Sequence, residues 1–335
     1  MNLPTIRVLA VSNMYPTVTD PTYGVFVATQ MRSVESRVEV HVEFIDGRRS
    51  NWRYAGAIPL IRRLASSGAF DLVHAHYGLT GFVASFHDLP LVVSFCGDDL
   101  LGTPNGRGAL TVKSRVIRWL SQKAARRADA VICKSEELRM LLPHNVDRAR
   151  AHVIPNGVDT EQFCPGDRAD ARARLSFAPG EPLILFPSTP TERRKRLDMA
   201  EAAVARLHAN GISARLVVIQ GASPERMPDY YRAADCLLLT SDWEGSPNVV
   251  KEALCCDLPV VSVDAGDVRR WFQLTRGCHL VDREPDAIAQ GLAKALGGVR
   301  HVDGQRVRDE VGLPKIAAQV LGVYKQAIAQ RATIS

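Results

Sequence analysis

Short runs of β-branched and aliphatic residues alternate with helix-length amphipathic stretches along all 335 residues. Ile6–Ser12, Val38–Ile45, Leu72–His76, Leu91–Phe95, Ala130–Cys133 and Ala151–Ile154 read as strands, separated by helical stretches near 24–35, 55–67, 79–87, 112–128 and 135–142. The pattern restarts after Pro179 with Leu183–Phe186, Ala214–Ile219, Cys236–Thr240, Pro259–Val263 and His279–Val281, with helices near 195–210, 227–234, 247–256 and 285–297. Strands that return through a helix pair in parallel, and a parallel sheet needs cover on both faces. Right-handed crossovers, with the covering face changing where the strand order reverses, then give doubly wound domains. The expected fold is α/β, with two doubly wound, Rossmann-like domains.

The Pro165–Asp170 stretch and the Pro179-Gly180-Glu181-Pro182 cluster mark the junction, so the domains are expected at 1–165 and 166–315. The hydrophobic fraction of 46% is enough for two cores. No apolar run approaches the ~20 residues of a membrane span. Ile6–Val11 is too short for a secretory core and runs into Asn13-Met14-Tyr15-Pro16, so a cytoplasmic protein is expected. Seven scattered cysteines without a Cys-x-x-Cys spacing fit reduced thiols.

The net charge of +6 is unevenly spread. Between Asn105 and Ala128 stand Arg107, Lys113, Arg115, Arg118, Lys123, Arg126 and Arg127, with no acidic residue. Leu110, Val112, Val116, Ile117, Trp119 and Leu120 lie among them. A basic amphipathic helix of this kind suits an anionic membrane or an acidic acceptor, and equally a core-facing helix with a solvated basic face. Nucleic acid is disfavoured, because the aromatic–basic interleaving of a single-strand platform is missing.

The segment Ser241-Asp242-Trp243-Glu244-Gly245-Ser246-Pro247-Asn248-Val249-Val250-Lys251-Glu252 carries the chemistry. Ser246 reads as an N-cap with Pro247 at the first helical position. Glu244 then precedes the helix and Glu252 lies on its second turn. Between them the amides of Asn248, Val249 and Val250 and the positive end of the helix dipole offer a place for a diphosphate. One carboxylate can face a sugar while the other accepts hydrogen bonds from ribose. Glu-x7-Glu alone fits an ordinary capped helix with a solvated glutamate better, but the whole string is more specific. Together with Cys256–Val263 it resembles the signature of retaining glycosyltransferases of family four, which have the GT-B fold.

Other segments share the resemblance. Ile154-Pro155-Asn156-Gly157-Val158-Asp159 matches the family's hinge entry. Gly24, after the first strand, corresponds to a glycine loop that contacts the donor diphosphate in relatives. Lys195 matches a lysine that neutralises the leaving diphosphate, and Arg193 or Arg194 substitutes for the usual arginine. Ser94-Phe95-Cys96-Gly97-Asp98-Asp99 resembles a His-Gly-x-Asp turn, with Cys96 in place of the histidine. His74 and His76 point to one face near a strand end, a spacing that suits hydrogen bonding or, given a third ligand, a metal. The short Gln220–Met227 connection resembles the branch containing teichuronic-acid-type enzymes of surface-polysaccharide synthesis.

The resemblance implies a nucleotide-sugar site in a cleft between two domains and transfer with retention to a hydroxyl acceptor. It implies Glu244, Lys195 and Arg193 as catalytic, and Glu252, Gly24, Arg194, Ser246, Asn248, Val249 and Val250 as donor-binding. His76, Cys96, Asp98 and Asp99 are the acceptor-side candidates. The donor would be UDP- or GDP-linked, with no cofactor and no metal, and the acceptor a glycan or lipid-linked saccharide. The C-terminal helix, about 316–335, is expected to pack back on the N-terminal domain. A nucleotide-sugar epimerase or hydrolase, and a non-catalytic homologue, are the alternatives.

Overall fold

The computed structural model describes residues 5–105, 109–188, 192–298 and 302–333. Arg107 lies outside the described residues. The chain divides into two compact units, Met1–Gly157 with Leu313–Ser335, and Val158–Gly312. The division falls at the Pro155-Asn156-Gly157 turn, ahead of the proline–glycine cluster at 165–170.

The first unit runs β1 (Ile6–Ser12), α1 (Val25–Val34), β2 (Val38–Phe44), α2 (Trp52–Ala65), β3 (Leu72–His76), α3 (Gly78–Val83), β4 (Leu91–Phe95), α4 (Asp98–Leu101), α5 (Val112–Arg127), β5 (Ala130–Cys133), α6 (Glu136–Met140) and β6 (Ala151–Val153). The second runs α7 (Arg168–Leu175), β7 (Leu183–Phe186), α8 (Leu197–Ala209), β8 (Arg215–Val218), α9 (Met227–Ala233), β9 (Cys236–Leu239), α10 (Asn248–Cys255), β10 (Val260–Val263), α11 (Val268–Phe272), β11 (His279–Val281), α12 (Pro285–Gly297) and α13 (Gln305–Val311). Helix α14 (Leu313–Ala332) belongs to the first unit.

Both sheets are wholly parallel, in the orders β2-β1-β3-β4-β5-β6 and β11-β10-β9-β7-β8. Central strands β3, β4 and β5 are buried at every residue, which is why they read as continuous apolar runs. In the first unit, Val73, Ala75, Val93 and Phe95 face α2, α3 and α5. On the opposite face Val8, Leu72, Val92 and Ile132 pack against Ile316, Val320 and Tyr324 of α14. In the second unit Ile184, Leu238 and Val261 face α8 and α12, while Leu185, Leu237 and Val260 face α9, α10, α11 and α13.

The doubly wound α/β fold expected from the alternation is the fold observed. Helices α4, α7, α11 and α13 were not anticipated; each has eight residues or fewer, too short to show a helical period. The winding reverses between β1 and β3 in the first unit and between β7 and β9 in the second. Open parallel sheets bind ligands at the carboxyl ends of the strands flanking such a reversal.

Candidate active site

In the second unit, the connection leaving β7 ends in a tight turn, Arg193–Lys195, before α8. The loop leaving β9 runs from Thr240 to Pro247. The two are stitched together at the reversal. The Asp242 N–H donates to the Arg194 carbonyl at 2.8 Å. The Thr240 hydroxyl donates to the carbonyls of Lys195 and Arg196 at 2.7 and 3.0 Å. Arg283, just past β11, donates to the Ser241 carbonyl at 2.7 Å and to Asp242 Oδ1 at 3.2 Å. Arg196 reaches the same carboxylate oxygen at 3.2 Å.

Glu244 stands at the centre of this frame. Its Oε1 accepts from Lys195 Nζ at 2.5 Å, Arg194 Nη1 at 3.0 Å and the Ser241 hydroxyl at 2.7 Å. Burial pushes its carboxyl up, but Lys195 and then Arg194 outweigh that and hold it below the ordinary glutamate value, so it is an anion. Gly266 backs the loop: a Cβ there would sit 3.0 Å from the Glu244 carbonyl oxygen, and its φ of +59° already favours glycine. Arg193, expected as a catalytic cation, is exposed and its side chain joins no described partner. The next residue, Arg194, points into the cluster instead, because the turn at 193–195 directs successive side chains apart.

Glu252, on α10, accepts from the Tyr231 hydroxyl of α9 at 2.7 Å. Burial raises its carboxyl above the ordinary value, offset in part by that bond and by Lys251. The two glutamates of one motif therefore sit in opposite electrostatic settings, one held anionic by cations and one made easier to protonate.

Ser246 does not cap α10. The helix begins at Asn248, and its N-cap is Pro247 with ψ of 115°. The Ser246 hydroxyl donates to Asp267 Oδ2 at 2.8 Å and accepts from Lys251 Nζ at 3.0 Å. Lys251 is fully buried, and a buried ammonium demands such partners. That demand takes the serine away from the helix. No acid lies in the first turn of α10, so no carboxylate on the helix itself opposes the positive end of its dipole.

The first unit holds the remaining candidates near its own reversal. Gly24 caps α1 at φ +70°, and a Cβ there would collide with the Met14 carbonyl carbon at 2.3 Å. His74 lies between the Tyr324 hydroxyl at 2.7 Å and the Ser94 hydroxyl at 2.8 Å. Burial, with Lys134, takes it down to about 3, so it stays neutral. His76 stacks on it with ring centroids 4.1 Å apart, and burial pushes it well below the usual histidine value. Among the described residues no group of three or more His, Cys, Asp or Glu is arranged to hold a metal ion.

Asp99 is a correction to the acceptor-side candidates. It is fully buried, and its carboxylate accepts from the backbone N–H of Gly78 at 2.9 Å, Cys96 at 3.1 Å and Gly97 at 2.8 Å. Burial, then the neighbouring Asp98, pushes it up to about 6 against the pull of those bonds. It builds the turn and is not presented for a sugar hydroxyl. Asp98 is exposed and accepts from the Tyr77 hydroxyl at 3.3 Å. Cys96 is half-buried, and burial followed by Asp99 raises its thiol, which stays protonated. A cavity of about 500 Å³ opens beside the ends of β1 and β2, lined by Thr17, Thr19, Asp20, Asp46, Arg48 and Arg53 among others.

Residues 20–162 match the family described as Glycosyltransferase Family 4, and residues 182–297 match Glycosyl transferases group 1. Each half of the chain thus matches a glycosyltransferase family model. A D-inositol 3-phosphate glycosyltransferase of Nocardia farcinica is 30% identical over 238 residues, 59% of this chain and 52% of the relative. The chain thus spans about half of that relative's length. Sucrose-phosphate synthase from Thermosynechococcus elongatus superposes with a TM-score of 0.78 at 17% identity, over 97% of this chain and 100% of the other. HepE of Anabaena, solved with UDP and glucose, superposes with a TM-score of 0.69 at 15% identity, over 96% and 99%. At these identities the structural likeness is one of GT-B fold.

Sequence reasoning missed three parts of the candidate site: Tyr231 on Glu252, Arg283 across the β9 loop, and Gly266 behind Glu244. Only Gly266 left a readable signal, as the turn Ala265-Gly266-Asp267 after a strand. Tyr77 was also passed over. It sits at φ +81°, a costly conformation for a tyrosine, where β3 hands over to α3.

Proposed function

We propose that the chain moves a sugar from a nucleotide-sugar donor to a hydroxyl acceptor, with retention at the anomeric carbon. The observation that carries this reading is Glu244, held anionic by Lys195 and Arg194, immediately before the start of α10. Glu252 would accept from the ribose hydroxyls, its orientation set by Tyr231. Lys195 and Arg194, already at the site, would share their charge with the departing diphosphate, together with the amides at Asn248–Val250. Glu244 would face the donor sugar and stabilise the positive charge that grows on it as the bond breaks. No metal or other cofactor is required in this scheme. The donor is UDP- or GDP-linked; that HepE was solved with UDP and glucose supports the former.

In this reading the acceptor belongs to the loops of the first unit around Gly24 and Asp98. It is a glycan, lipid-linked and used in surface-polysaccharide synthesis at the cytoplasmic side of a membrane. The D-inositol 3-phosphate name of the Nocardia relative supports a smaller polyol phosphate as the rival acceptor. Cys96, where relatives of the resembled family have histidine, favours the non-catalytic alternative.

Isothermal titration with UDP, GDP, ADP and dTDP, repeated on Glu252→Ala, tests the donor site. Micromolar binding of one nucleotide that is lost in the variant is expected. Absence of binding to all four rejects the reading.

A further inference from the structure

Helices α2, α3 and α5 lie side by side on one face of the first unit's sheet, through Ala57, Ile61, Val83 and Ala125. Their outer surface has an unusual charge pattern. No aspartate or glutamate occurs between Asp46 and Asp71, between Asp71 and Asp88, or between Asp99 and Asp129. Over the same stretches stand Arg53, Arg62 and Arg63 of α2 and Lys113, Arg115, Arg118, Lys123, Arg126 and Arg127 of α5. All but Arg118 are exposed, and none of them makes an ion pair among the described residues. Arg126 and Arg127 have neutral partners: Asn145 at 3.1 Å for the first, and for the second Ser85 at 3.0 Å and the Phe86 ring, 4.8 Å from the guanidinium.

The exposed apolar side chains gather on this layer as well. Among the described residues the large exposed hydrophobics are Val18, Trp52, Phe86, Val112, Val116, Trp119 and Met140. All except Val18 and Met140 belong to α2, α5 or the turn after α3. Val112, Val116 and Trp119 follow a four-then-three spacing, so they form one stripe, 76%, 52% and 54% exposed. Lys123 continues it, its Nζ 5.3 Å from the Trp119 ring centre.

We propose that this three-helix face docks on an anionic lipid surface. Unpaired cations supply the long-range attraction to anionic headgroups. The tryptophan and valines supply a shallow apolar insertion with a basic rim, the amphipathic pattern of a helix lying in the interface. A nucleic acid would satisfy the cations but leave the Val112–Val116–Trp119 stripe in water. No helix among the described residues is long and apolar enough to cross a membrane, so attachment through this face is peripheral. The proposal goes beyond the transfer reaction and is tested without donor or acceptor.

The test is co-sedimentation of the full chain with phosphatidylcholine vesicles and with vesicles about one-third phosphatidylglycerol. Partitioning at least about tenfold stronger on the anionic vesicles, falling steeply with added salt, is expected. Arg62→Glu with Arg63→Glu in α2, and Arg115→Glu with Arg126→Glu in α5, should each weaken it about tenfold or more. Trp119→Ala should weaken it about threefold. Unchanged circular dichroism in each variant keeps the result free of folding effects. Equal binding to neutral and anionic vesicles overturns the proposal. So does a loss confined to α5 variants, since the face is claimed to be shared. Binding of duplex DNA, or a dimer broken by Trp119→Ala, with vesicles ignored in either case, also overturns it.

Discussion

Around the β7–β9 reversal of the second unit, Arg194 and Lys195 are paired to Glu244, and Arg196 and Arg283 to Asp242. On α2 and α5 of the first unit stand nine cations, eight of them exposed, and none makes an ion pair among the described residues. The chemistry of the side chains is the same, and their environments make them do different work. A paired guanidinium has its direction set in advance and its field largely cancelled beyond a few ångströms. It orients a loop, and it can transfer charge only to a group that displaces or joins its partner. An unpaired one is poorly positioned but projects its field into solvent, where it attracts extended anionic surfaces. The first arrangement suits a single small diphosphate, the second a surface with many charges.

Perturbing the paired cluster should give the largest effect. Glu244→Gln keeps size and hydrogen bonding but removes the charge that Lys195 and Arg194 face. A fall in kcat of about 10²–10³ is expected in a transfer assay, the scale of losing one preorganised electrostatic contact. Activity within a few-fold of the parent would falsify the role given to it. Glu252→Ala should weaken nucleotide binding by about 10–100-fold, the weight of a hydrogen bond to a charged group. Tyr231→Phe should do less, about threefold, because it orients the carboxylate without touching the donor.

The unpaired face should respond through a different readout. Arg62→Glu with Arg63→Glu should lower vesicle binding about tenfold while nucleotide binding stays within about twofold, which separates the two regions by experiment. Arg283→Ala tests whether pairing is mainly structural. Its side chain is 32% exposed, so the ion-pair contribution is discounted, and about 1 kcal/mol of stability should be lost. Differential scanning calorimetry would then show a melting point lower by a few degrees, with donor KM raised as the β9 loop loosens. The smallest effect is expected from pH. Glu252, raised by burial, protonates earlier than an exposed glutamate as pH falls, so donor affinity should decline on the acid side. Vesicle binding should hold steady between about pH 8 and 6, because arginine and lysine stay charged. A parallel decline of both would break the distinction.

Much of the architecture was legible from the chain alone. The eleven strands of the described residues fall on the expected runs, with shifts of a residue at their ends. The central ones, buried on both faces, leave continuous apolar stretches, and the edge strand β2 an alternating one. The Glu244–Glu252 motif was legible because its spacing straddles a loop and a helix start. Three features were not. The N-cap moved from Ser246 to Pro247 because the serine hydroxyl is taken up by Asp267 and the buried Lys251. Asp99 looked like a hydroxyl reader but is consumed by three backbone amides that converge only when β3 and β4 are adjacent. Arg194 replaced Arg193 in the cluster because a tight turn decides which of two neighbouring arginines faces inward.

Local chemistry therefore determined the elements, the parallel winding and the motif at the α10 start, since periodicity and turn residues act over a few positions. Contacts between distant segments decided the rest. Tyr231 meets Glu252, Arg283 clamps the β9 loop, and α2 joins α5 in one acid-free layer only after the sheets have wound. Each depends on a packing geometry that no short stretch of sequence encodes.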